Sequence, residues 1–457
     1  MKTAGICTKI RAASSRTTLA AFAVCVAFAA RADNYWKGVD GADLATPANW
    51  SEEALPASAA GYFKKNGTLT EYSACLSKDE TFFQFYWQLA NLKTVFNLCG
   101  NTLTLSAGSS IAAMRLDTNY AGMEATFTNG TITTTGARCG VWVLGDNQTL
   151  TFGEGLVFNG DAAIHSGSAH AGSRIIVRDG AKVKGSIYFG GNQSEGTILV
   201  TGEGTEVDFG GGTLQMATSN ASSTNNSFRV EDGAIVTNAT VSIGDTSSYR
   251  ASGATIALSG GGKLFTQNWN VSGGETTYIV QYQDYPAHRV EIGEGSGFHT
   301  RVLLVRGTNN VFAVDGGVLE AVKYDIAGTN TFHFAGTAPK MSQFAQNVLT
   351  IHADCTFSFE IPSSGYADVP CEFWPNGAFT MPETTRLGID ARAFARAGGG
   401  TVPLMKFKGG KDVTFSEPLL SRWNTELEAK HCSVSYDTSE RTLVLTVTKP
   451  GLMIFVR

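Results

Sequence analysis

The chain of 457 residues is short of charge. Asp, Glu, Lys and Arg make up 16% of it, where about 25% is usual in a soluble domain. Its net charge of −5 gives no basic footprint for nucleic acid. Proline is scarce, at 11 residues. Hydrophobic residues reach 43%, too many for a disordered chain. Nowhere in residues 33–457 do 18 apolar residues follow one another, so no spanning helix is expected there. The cysteines include no C-x-x-C pair, which argues against a zinc or thioredoxin-like site. No G-x-S-x-G elbow, H-E-x-x-H helix, P-loop or EF-hand loop occurs, so no catalytic or cofactor motif is present and no cofactor is expected. The acidic signatures of polygalacturonase-like and pectate-lyase-like enzymes are absent too.

What the chain does have is glycine, 52 residues of it, without the three-residue period of collagen. Much of it falls in one recurring unit. An apolar strand is followed by two or three turn residues, a glycine and another apolar strand, as in ATFTNGTIT, IIVRDGAKV and FRVEDGAIV. The turn glycines are Gly108, Gly130, Gly155, Gly180, Gly204, Gly233, Gly261, Gly295 and Gly317, mostly 22 to 29 residues apart. Asp-Gly and Glu-Gly pairs supply turns that need positive φ. One such unit cannot bury its own apolar face, but stacked units bury a continuous core. A propeller blade takes about 40–50 residues, so this period fits a coil of a solenoid. The expected fold is all-β: a parallel β-helix of the pectin-lyase-like type, right-handed by the crossover rule. The repeats occupy 99–345, with atypical caps at 33–98 and 346–457.

Residues 1–32 read as a secretory signal peptide. Lys2, Lys9, Arg11 and Arg16 precede an apolar core from Leu19 to Ala30, and Ala30-Arg31-Ala32 forms a small-x-small cleavage site before Asp33. The expectation is export to the cell envelope or medium. There, Cys75 and Cys99, about one coil apart, are disulfide candidates. In the caps, Ser77-x-x-Glu80 with Phe82, Phe85, Leu89 and Leu92 permits a helix or a strand. Residues 386–397 read as a short helix, and Val434 to Tyr436 with Leu443 to Val447 as a hairpin. The tail 451–457 reads as a last strand.

The opening of the mature chain, Tyr35-Trp36-x-Gly38, then Pro47-Ala48-Asn49-Trp50-Ser51 and Leu55-Pro56, resembles that of autotransporter-passenger-like repeat proteins. The resemblance implies a secreted or surface bacterial β-helix. No further strand-rich region of barrel length follows the repeats, so the expectation is a passenger-like protein without the membrane barrel.

Three side-chain sets are candidates for chemistry. The residue before the turn glycine is Asn129, Glu154, Asp179, Glu203, Asp232 or Glu294, and stacked coils would align these acids. Asp179, Glu203 and Asp232 are the candidate cation ligands, against a plain reading as solvated turn residues. His333, His352 and Asp354 are a second, weaker set. The third comes from the long intervals after Gly204, Gly233 and Gly261. Their extra residues, at 217–226, 245–253 and 273–288, fall at similar phases, which places three loops on one face. Tyr249, Arg250, Tyr282, Asp284, Tyr285, His288 and Arg289, with Tyr278 beside them, form the candidate contact patch for a glycan or surface protein. Trp36 and Trp50 read as cap core, and Trp269 as a surface ring. The leading functional expectation is a non-enzymatic, adhesin-like binding or display protein. The alternatives are a divergent polysaccharide lyase or glycoside hydrolase, and a purely structural envelope component.

Overall fold

The computed structural model describes residues 34–449, apart from 65–69, 108–111, 136–138, 144, 161–162, 167–169, 186, 190–193, 217–223, 244–252, 267–275, 281–287, 353 and 410–411. Residues 1–32, expected as a signal peptide, and 451–457, expected as a last strand, lie outside the described residues. The chain is a parallel β-solenoid. Alternation builds each coil: in Glu124–Thr128, Ala125 and Phe127 are buried while the residues between them face outward. Successive coils then pair residue for residue. Ala125 lies opposite Thr94 on one side and Leu150 on the other.

Three sheets wall the solenoid. The first has seven strands, from Asn34–Tyr35 to Ile187–Phe189, and the second has fourteen, from Ala42–Asp43 to Arg386–Asp390. The third runs from Glu80–Phe82 to Gly400–Phe407 and closes with the antiparallel strands Thr442–Val447 and Cys432–Asp437. Beyond Ile187–Phe189 the cross-section changes. The nine-residue strand Ile235–Ile243 pairs with Glu206–Asp208 at one end and Thr213–Met216 at the other. Gly297–Arg306, with ten residues, and Val318–Ile326, with nine, are similarly long. One wide sheet thus replaces two narrow ones.

The expected glycine column is present, with a shifted register at its ends. Gly155, Gly180, Gly204, Gly233, Gly261 and Gly295 all have positive φ. A β-carbon on Gly261 would sit 3.8 Å from the Gly233 Cα, and one on Gly295 3.8 Å from the Gly261 Cα. Because Val318 pairs with Gly297, the next member is Gly316 (φ 69), not Gly317. Likewise Asn129 (φ 54) takes the left-handed place opposite Gly155, and Gly130 begins a strand.

The coils extend past the repeat read from glycine. Glu71–Cys75 and Lys93–Asn97 already pair in parallel register, so residues assigned to the N-terminal cap form rungs. The stretch Glu80 to Trp87 is two strands, Glu80–Phe82 and Gln84–Trp87, and no helix. Phe82 and Phe85 both point inward because the chain bends at Phe83, which imitates helical spacing. Trp50 closes this end. It is fully buried, donates its indole N–H to the Leu44 carbonyl at 2.9 Å, and packs on Trp36, Phe63, Phe82 and Phe85. At the other end, 386–397 divides into the strand Arg386–Asp390 and the short helix Arg392–Arg396. The expected hairpin is Cys432–Asp437 against Thr442–Val447. A helix the sequence reading missed, Glu417–Glu428, lays Leu419, Trp423 and Leu427 on the core. Its signals are Ser416 as N-cap, Pro418 in the first turn and apolar residues four apart.

One corner of the second sheet holds a buried polar stack. The residue preceding each strand is Gln148, Ser173, Asn226, His288, Asn310 or Asn330 on six of the rungs, each at most 1% exposed. The Asn310 amide donates to the Arg306 carbonyl (3.0 Å) and to Asn330 Oδ1 (2.9 Å), while its own oxygen accepts from His288 N (3.3 Å). These side chains pair backbone groups that a tight corner leaves without partners.

Candidate functional site

The fold dictates what faces inward and leaves the outer faces free, so a residue type repeated outside needs another cause. The first sheet carries such a repeat. Tyr35 pairs with Tyr62, Tyr62 with Tyr86, Tyr86 with Arg115, and Arg115 with Trp142. Each lies between inward-facing neighbours such as Gly61 and Phe63, or Val141 and Val143. The same register position on the next two rungs is His165 and then Tyr188. A planar, π-bearing residue thus recurs on seven successive strands. From Tyr35 to Trp142 the row spans about 19 Å, at a strand spacing of about 4.8 Å.

The rings do not close into a sealed stack. Tyr62 and Tyr86 meet edge to face, with centroids 5.3 Å apart at 71°, so a face of one is turned away from the other. Lys64 Nζ stands 4.8 Å from the Tyr62 centroid. The Arg115 guanidinium lies between Tyr86 (5.8 Å) and Trp142 (6.0 Å), a cation–π arrangement. Burial raises the Tyr86 phenol above its ordinary pKa, with Arg115 opposing and the Asp117 charge adding, so Tyr86 remains a neutral hydroxyl at physiological pH. Asp117 is 8% exposed and is held by Arg115 at 3.5 Å and by the Gln88 amide at 3.3 Å. Tyr35, at the open end of the row, is 46% exposed.

The sequence reading did not find this row. Its members are 23 to 29 residues apart and belong to no contiguous motif. The signal lay in the strand-interior position two or three residues before each coil's first corner, in GYF, FYW, MRL and VWV.

The sequence-derived candidates fall as follows. Tyr249, Arg250, Tyr282, Asp284, Tyr285 and Trp269 lie outside the described residues. The strand ends that flank them are in register: Met216 pairs with Ile243 and Ile243 with Ile279, while Ser227 pairs with Thr255 and Thr255 with Arg289. The chain therefore leaves the wide sheet and enters the second sheet at stacked points. The expected third loop divides, because Thr276–Val280 is a strand within it. His288 is not a loop residue. It is 1% exposed in the corner stack, its Nδ1 accepting from Ala254 N at 3.3 Å. Arg289 opens a strand and bonds Glu291 at 2.9 Å.

Asp179, Glu203 and Asp232 do stand on successive rungs beside the glycine column. Asp179 pairs with Arg178 at 3.4 Å and Asp232 accepts from Thr201 at 3.0 Å. Among the described residues no group of three or more His, Cys, Asp or Glu could hold a metal ion. His333 and His352 do not stack: His333 meets Ser358 Oγ at 3.3 Å, whereas His352 faces Asp325 at 3.5 Å on another sheet. Cys75 and Cys99 are free thiols. Cys75 lies opposite Asn97, so Cys99 falls two residues past the rung, at the corner.

The outer face of the wide sheet is mostly charged, with Phe265 stacked on His299 at 4.6 Å. Glu320 meets His299 (3.1 Å) and Ser342 (3.4 Å), and Glu372 lies between Lys340 (2.9 Å) and Lys408. These carboxylates are two rungs apart, roughly the outer limit of an inverting glycosidase pair, and each is already engaged by a basic side chain. A cavity of about 670 Å³ between Arg392–Arg396 and residues 429–432 lies beside the Asp390–Arg392 ion pair.

No family model, curated protein or solved structure matches the chain.

Proposed function

We propose that the protein is an exported, non-enzymatic binding protein of the cell envelope or medium, and that it holds an extended glycan against the first sheet. The outward row Tyr35, Tyr62, Tyr86, Arg115 and Trp142 carries this reading. Aromatic rings give broad contact area at low entropic cost, and tyrosine hydroxyls add hydrogen bonds. A sugar ring offers an apolar face and polar edges, and a regular polymer offers them repeatedly, as the row does. A passenger-like surface protein would use such a face for adhesion or display.

The test is a glycan array and a polysaccharide pull-down with the purified mature chain and the variant Tyr62→Ala/Tyr86→Ala/Trp142→Ala. The reading expects binding that falls at least tenfold in the variant, while the melting temperature changes little. Binding that survives all three replacements would overturn it.

A further inference from the structure

We infer that the ligand of the aromatic row is an anionic glycan, a uronate- or sulfate-bearing chain, lying along the solenoid axis with Arg115 as its charge-reading residue. This rests on the glycan-binding reading and specifies its ligand.

Three observations carry it. First, the face carries a guanidinium set between rings, that of Arg115, although the chain as a whole carries −5. At the Tyr35 end Lys37 pairs with Glu53 at 3.4 Å; the other described outward side chains include Tyr35, Tyr62, Lys64, Tyr86, Gln88, Arg115, Asp117 and Trp142. The acid among them, Asp117, is nearly buried and already bonded to Gln88 and Arg115. Second, Arg115 is held but not used up. Two rings fix its plane, and its hydrogen bond goes to Asp117 at 3.5 Å. A guanidinium has five N–H donors, so terminal donors remain for an outside acceptor, and a flat fork is suited to a carboxylate or sulfate. Third, the row's repeat selects a polymer along the axis. Rungs recur every ~4.8 Å, close to the advance of one extended sugar residue. A chain crossing the sheet at right angles would meet one ring only. A single-stranded nucleic acid also combines planar groups with negative charge, but it would bring far more charge than Arg115 can offset.

The experiment is titration calorimetry of the mature chain with oligosaccharides of two to seven residues in three forms: an oligouronide, its carboxyl-reduced neutral counterpart and a sulfated analogue. Each is measured at low and high salt, with an oligo-dT control. Wild type should bind one or both charged forms at least tenfold more tightly than the neutral form, and the preference should shrink with salt. Affinity should rise with length up to about four to six residues and then level. Arg115→Gln should lose most of the charge preference and keep the weaker neutral binding; Arg115→Lys should retain part of it. Which charged form binds identifies the acidic group. Equal affinity for the neutral form, or no gain beyond two sugars, would overturn this inference and leave the glycan reading standing. Absence of binding to every sugar, or tighter binding of oligo-dT, would overturn both. Melting curves of the variants separate loss of contact from loss of fold.

Discussion

The two halves of the solenoid bury the same kind of interior and differ outside. From Asn34 to Phe189 three narrow sheets enclose a core whose first coils are packed with rings: Trp36, Trp50, Phe63, Phe82, Phe85 and Trp87. Its outer first sheet repeats aromatic and cationic planes. From Ile235 onward a wide sheet carries ion pairs instead, among them Arg306–Asp325 at 2.8 Å and Lys340–Glu372 at 2.9 Å. The inner stacks persist there, for example Phe312 on Phe332 at 4.6 Å and 11°. Inward positions are set by the need to fill a continuous core. Outward positions on the same strands are under no such demand, so the row of aromatic and cationic planes on one half has a cause other than the core.

The halves also close differently, and the largest expected effect lies there. Trp50 plugs the N-terminal end with its indole against four rings. Trp50→Ala should cost about 3–5 kcal/mol. Because each coil contacts only its neighbours, the loss should be local. Hydrogen exchange should accelerate in the strands up to Glu124–Thr128 and remain slow in Val318–Ile326. Uniform acceleration along the chain would show that the two halves melt as one unit.

The glycine column was legible in the sequence because a left-handed turn is a local demand that few residues meet, and it repeats. The parallel stacking followed from its period. What stayed hidden depends on register rather than residue type. Gly316 and Gly317 are indistinguishable until the pairing of Val318 with Gly297 is known. Cys75 and Cys99 looked one coil apart, yet Asn97 holds the place opposite Cys75. His288 read as a loop residue because the corner stack that buries it is spread over rungs 20 to 35 residues apart. The aromatic row was hidden for the same reason: it has one member per coil and its meaning lies in the alignment.

That corner stack gives the next contrast. On two early rungs the equivalent corner is filled by Leu92 and Met123, both fully buried, before Gln148 and Ser173 make it polar. In the C-terminal half it is Asn310 and Asn330, bonded to each other and to backbone. Asn310→Ala would leave His288 N, the Arg306 carbonyl and Asn330 Oδ1 short of partners. It should cost about 1–3 kcal/mol. Urea unfolding would measure this. Asn310→Leu should do no better, since the corner carbonyl remains unsatisfied. If leucine proved neutral, the polar corner would be interchangeable with the apolar one.

The smallest effect concerns acid at the two ends. Asp43, on the first rung of the second sheet, is raised by burial but lowered more by the bonds it accepts from Ser77, Ala45 and Thr46, so its pKa lies below the ordinary carboxylate value. These bonds tie the first coil to the second. At the far end, hydrogen bonds from Arg392 hold Asp390 at about 2. Both groups are depressed in the folded chain. Their stabilisation is therefore full above the unfolded value of about 3.9, and it is lost as pH falls through each folded value. Both contributions begin to fall as the pH drops below the unfolded value, and that of Asp390 goes on falling to about pH 2. Lowering the pH from 5 to 3 should reduce the melting temperature by a few degrees at most, since ~1 kcal/mol moves a domain of this size by about 2–4 °C. In Asp43→Asn part of that acid dependence should vanish, because the amide accepts through one oxygen at every pH and nothing is left to titrate. Asp390→Asn should also reduce the slope between pH 5 and 3, since in that window the unfolded carboxyl begins to bind its proton while the folded one does not. If neither variant changed the slope, these two carboxylates would not be the acid-sensitive groups at the ends of the molecule.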